Sequence, residues 1–160
     1  MSYNHSIRSE AQYVDNLGYD VTGEHILEAY KPILEHWFPT SHGYTIDPEL
    51  YDMLDLEPII VRRAGGNIIL IAKIQHYDWT GGGHDVKVDE LANYIKLQFD
   101  ATGSDTIYGL VGIGLRWMVC EVQKSGNRLP TTVIDGQDNI ASNASYAKFR
   151  TLATLIYNIA

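Results

Sequence analysis

The chain reads as an α/β protein, with a mixed central β-sheet flanked by helices. Three observations predict this. Two β-branched runs, Ile59–Arg63 and Ile68–Gln75, bracket a Gly65-Gly66 pair, the pattern of a β-hairpin. Val88, Leu91, Ala92, Ile95 and Phe99 then recur at helical spacing. Two further apolar runs, Thr106–Val111 and Leu115–Gln123, follow that helix and read as buried strands.

Taken in order, residues 1–21 are polar with weak periodicity and read as an N-terminal arm. Residues 22–160 read as one domain. Thr22 is placed to cap a helix whose inward residues are Ile26, Tyr30, Ile33 and Trp37, with Glu24, Glu28 and Glu35 turned outward. Pro32 falls inside it and predicts a kink or two short helices, and Pro39 marks the end. Gly43–Ile46 suits a short strand. Asp47–Leu56 is acidic and irregular, with room for one helical turn.

A turn centred on Gly65-Gly66 sets the register of the hairpin. Ala64 then faces Asn67, Val61 faces Leu70, Ile59 faces Ala72 and Glu57 faces Ile74, all on one side. The other side carries Pro58, Ile60 and Arg62 opposite Lys73, Ile71 and Ile69. Both faces are largely apolar, so both are expected to be covered. The loop Trp79–Gly83 leads to a helix capped by Asp85 and closed by Gly103. Gly112–Gly114 and Ser125–Asn127 read as turns, and Thr131–Ile134 as a short strand. A final helix from about Ser142 turns Tyr146, Phe149, Ala153, Ile156 and Tyr157 inward.

Composition narrows the function classes. A chain of 160 residues can bury a substantial core. Its formal net charge is −8, and its 12 basic residues are scattered, which disfavours a nucleic-acid partner. The single cysteine, Cys120, excludes an intramolecular disulfide and reads as a buried, inert thiol. No segment has the apolar core of a signal peptide or the roughly 20 apolar residues of a membrane span. An intracellular, soluble protein is expected, with no membrane partner. The eleven tyrosines suit packing and binding surfaces alike, and a homo-oligomer is compatible with them. The glycosylation patterns at Asn4 and Asn143 are read as chance matches.

The element order helix, short strand, hairpin, helix, strand, followed by an extra hairpin and a C-terminal helix, resembles the restriction-endonuclease-like fold. The stretches PIIVRRAGGNIILIAKIQ, DELANYIKLQF and IYGLVGIGLRWMVCEV resemble uncharacterised fungal members of that PD-(D/E)XK nuclease superfamily. The resemblance spans about Glu24 to Ala160 and implies an α-β-β-β-α-β core. It also implies a site in which two carboxylates on neighbouring strands bind Mg²⁺ and a lysine orients the attack, often helped by a glutamate from the first helix.

Carried over residue by residue, that motif is degenerate. With Glu57 as the first acid, its face supplies Ala72 for the second acid and Ile74 for the lysine. With Lys73 as the lysine, its face supplies Ile71 for the acid and Pro58 opposite. Glu57 and Lys73 are therefore vestigial catalytic candidates, with Glu28, or Glu35, as the helix acid. Asp55 and Glu57 are the candidate metal ligands. A Glu on a helix is more often a solvated face, and a Lys in a strand more often extends its amine past the apolar surface to water.

Other chemistry is weaker. His76, Asp78, His84 and Asp85 offer imidazole and carboxylate, but their spacing matches no compact metal motif. The glycine loop 81–83 lacks the Lys-Ser/Thr of a nucleotide-hydrolysing site. Gly109, Gly112 and Gly114 do not open a helix, so they are no dinucleotide fingerprint. No nucleophile-elbow pattern occurs. The expected function is a catalytically degenerate nuclease-like domain that serves as a binding or structural protein, with no cofactor and with an unknown ligand. The alternative is an active nuclease using Mg²⁺, with acids relocated to Asp55, Glu57, Asp78 and Glu90.

Overall fold

The computed structural model of the chain describes residues 1–18, 22–47, 58–75, 84–125 and 129–159, with the backbone alone for 84–86. Its elements are α1 (His5–Leu17), α2 (Gly23–Trp37), β1 (Thr45–Asp47), β2 (Ile59–Arg62), β3 (Ile68–Gln75), α3 (His84–Gln98), β4 (Thr106–Ile113), β5 (Arg116–Gln123), β6 (Thr131–Gln137) and α4 (Asn143–Tyr157). The strands form one six-stranded sheet in the order β1-β2-β3-β4-β5-β6. Only β3 and β4 are parallel, and α3 is the crossover between them. Every other neighbouring pair is antiparallel. The mixed sheet flanked by helices is the α/β architecture expected.

Both faces of the sheet are covered, as its apolar composition requires. On one face α1, α2 and α4 pack over Ile59, Val61, Leu70, Ala72, Ile74, Leu110, Trp117 and Val119. On the other face α3 packs over Ile68, Ile71, Ile107, Val111, Met118, Cys120 and Val122. The α3 stripe Val88, Leu91, Ala92, Ile95 and Phe99 is buried throughout. Leu91→Ala is expected to cost about 2–5 kcal/mol, because the cavity would open between α3 and the sheet in a fully packed layer. A denaturant melt showing a loss below about half a kcal/mol would contradict that burial.

Two glycines let the helices approach this closely. A Cβ on Gly109 would stand 3.0 Å from Leu91, Ile95 and Cys120, beneath α3. A Cβ on Gly112 would stand 2.5 Å from the Tyr30 hydroxyl, beneath α2. That hydroxyl donates to the carbonyl of Gly114 at 2.8 Å, so α2 is anchored to the β4–β5 turn as well as packed on the sheet.

The hairpin register holds where it matters and slips at the tip. Val61 pairs with Leu70 and Ile59 with Ala72, as the Gly-Gly turn predicts. The loop itself has three residues, since the Arg63 amide donates to the Asn67 carbonyl at 3.0 Å. That places Arg62 opposite Ile68 rather than Ile69. A bulge between Val61 and Arg62 absorbs Ile69 and restores the expected pairing beyond it. Gly65 and Gly66 have φ of 96° and 90°, which a residue with a Cβ reaches only with strain.

Four other expectations are corrected. Residues 5–17, expected to lie in an arm, form α1, which buries Ile7, Ala11 and Val14; Tyr3 just before it is buried as well. The spacing of these four residues is helical, but the intervening residues are so polar that the stripe is narrow. Of the two outcomes expected at Pro32, the division into two short helices does not occur, and α2 is continuous. The backbone carbonyl that loses its partner belongs to Glu28, on the exposed side, where water can meet it. α3 begins at His84, one residue ahead of the Asp85 expected to precede it as the cap. Tyr157 is 48% exposed rather than turned inward, although its hydroxyl reaches the Trp37 carbonyl at 2.6 Å.

The end of α4 is tied to the hairpin through charge. The Arg63 guanidinium donates to the carbonyls of Ile156, at 2.7 Å, and Ile159. These carbonyls lie at or just past the last turn, at the negative end of the helix dipole, and the Ile156 carbonyl accepts the Ile159 amide as well. Arg63→Ala is expected to destabilise the protein by on the order of 1–2 kcal/mol. Amide exchange should rise first in the last turn of α4, and unchanged exchange there would show that the contact holds nothing in place.

Candidate functional site

The candidate site lies at the C-terminal end of β3, on the face beneath α3. Ile71 on that face belongs to the α3 core, and strand alternation puts Lys73 and Gln75 on the same side. The contacts of Ile68 fix the direction of α3. Its amide donates to Thr102 Oγ1 at 2.9 Å, so the C-terminal end of α3 sits over the start of β3. The first turns of α3 therefore lie toward the end of β3 that carries Lys73 and Gln75.

Lys73 is the one residue of β3 that is not buried. It is paired in register with Val111 of β4. Gln75 is buried, and its side-chain oxygen has no hydrogen-bond partner among the described residues. The Gln75 backbone carbonyl accepts from the Gly114 amide at 2.7 Å, which fixes the strand end against the β4–β5 turn. On α3, Lys87 is buried, and its ammonium is 2.7 Å from a carboxylate oxygen of Glu90, which is largely exposed. Lys73 and Gln75 thus share this strand end, and Lys87 lies on α3. Among the described residues, the ion-paired carboxylate here is Glu90, held by Lys87.

The position that the resemblance would give to an acid holds a buried isoleucine. Ile71, two residues before Lys73, is fully buried under α3. A metal-binding carboxylate there would have to displace apolar packing and lose its hydration, which costs several kcal/mol for an ion. The opposite face offers no better place. Ile59, Ala72 and Ile74 lie in the larger core beneath the other three helices. Glu28 and Glu35 are exposed on α2, which packs on that opposite face, so the structure does not bring either of them beside Lys73. Asp55, Glu57 and Asp78 lie outside the described residues, as do His76 and the side chains of His84 and Asp85. Glu90 is described and is paired with Lys87.

No group of three or more His, Cys, Asp or Glu able to hold a metal occurs among the described residues. Nor does an activated cysteine nucleophile occur among the described residues. Burial pushes the Cys120 thiol up to about 11, which keeps it protonated and unreactive near neutral pH. Burial, and then the carboxylate of Glu121, pushes the Tyr108 phenol up to about 12. His36 lies among the rings of Tyr3, Trp37 and Tyr146, and burial lowers its pKa. Its partners are aromatic rather than acidic, so this is a packing cluster and not a proton relay. No helix among the described residues is long and apolar enough to cross a membrane.

Gln75 and Lys87 were not singled out from the sequence. Gln75 could have been, since it stands two residues beyond Lys73 on the same sheet face. Lys87 could not, because it adjoins the apolar stripe of α3 and only packing shows that it is buried. Comparisons with protein-family models, with curated proteins and with solved structures find no match.

Proposed function

We propose that this chain is a nuclease-like domain that has lost catalysis and acts as a binding or structural protein. The observation that carries the proposal is the burial of Ile71 two residues before Lys73. The order α2-β1-β2-β3-α3-β4 supports the nuclease-like part of the reading, because it repeats the α-β-β-β-α-β order of that superfamily. Catalysis in such a site needs carboxylates to hold a cation that activates water and stabilises the leaving oxygen. Around Lys73 the sheet supplies Ile71 and Val111 instead.

The test is a cleavage assay with Mg²⁺ and with Mn²⁺ on single- and double-stranded DNA and RNA. No cleavage above the metal-only background is expected from the purified protein. Metal-dependent cleavage that disappears in Glu57→Ala would show instead that the acids have moved to the segment before β2 and that the enzyme is live.

A further inference from the structure

We draw no further inference here: the strongest candidate, the buried Gln75 carboxamide beside Lys73 at the C-terminal end of β3, belongs to the site already described, and nothing among the described residues shows what meets its side-chain oxygen.

Discussion

Replacing Phe149 by alanine is expected to cost about 3–5 kcal/mol, a large part of the stability of a domain of this size. Phe149 is fully buried at the centre of the aromatic layer between α4, α2 and the sheet. Its ring stacks on Trp37 with centroids 5.8 Å apart and an interplanar angle of 11°. It meets Trp117 of β5 at 5.2 Å and Phe38 at 6.3 Å. Removing it therefore unseats three elements at once. The neighbouring rings cannot collapse into the space, because two of them are held by hydrogen bonds. The Trp117 indole donates to Ser145 Oγ at 2.8 Å, and the Trp37 indole donates to the Tyr3 hydroxyl at 2.8 Å. Urea melts followed by tryptophan fluorescence would measure the loss. A cost below about 1 kcal/mol would mean that the layer repacks and that the hydrogen-bonded indoles do not fix it.

Ile71→Glu is the second large effect, and it tests the functional reading. The substitution creates an acid-x-Lys sequence ending at Lys73. It is expected to destabilise the protein by on the order of 3–5 kcal/mol at neutral pH, because it leaves a carboxylate in the apolar layer under α3. Lys73 shares the face, but its side chain is partly exposed, so water screens its attraction and it offsets only part of that cost. The pH dependence has a definite sign. Burial raises the folded-state pKa of the new carboxyl above its unfolded value of about 4.3. The ionisation part of the penalty is therefore complete above the folded pKa and is gone below the unfolded one. The gap between variant and parent melts should narrow in acid, leaving the pH-independent cost of a neutral carboxyl and lost isoleucine packing in the apolar layer. A variant as stable as the parent at neutral pH, or one that Mg²⁺ stabilises, would show that the position is open to a cation and would overturn the closed-slot argument.

Much of the strand-and-helix pattern was legible in the residues alone. The hairpin could be paired from its Gly-Gly turn because strand alternation and a short loop leave few registers. The α3 stripe could be placed because five apolar residues at helical spacing leave one face to bury. The Lys73 position and the absence of an acid two residues earlier were also plain, since Ile71 is read directly from the sequence.

What the tertiary structure decided depends on contacts between distant segments. Helix α1 is held by Tyr3, Ile7, Ala11 and Val14, a stripe too narrow to stand out in a polar stretch until α2 is laid against it. The bulge that absorbs Ile69 follows from a three-residue loop, and loop length is not encoded by the glycine pair alone. Arg63 stands in the sequence only as the last residue of the first β-branched run. Its role at the end of α4 appears only when chain separated by more than ninety residues is brought together. The same holds for the site. Sequence named Glu28 and Lys73 together, but α2 and α3 lie on opposite faces of the sheet. A side chain reaches only the layer it points into, so that separation decides which groups can share a ligand.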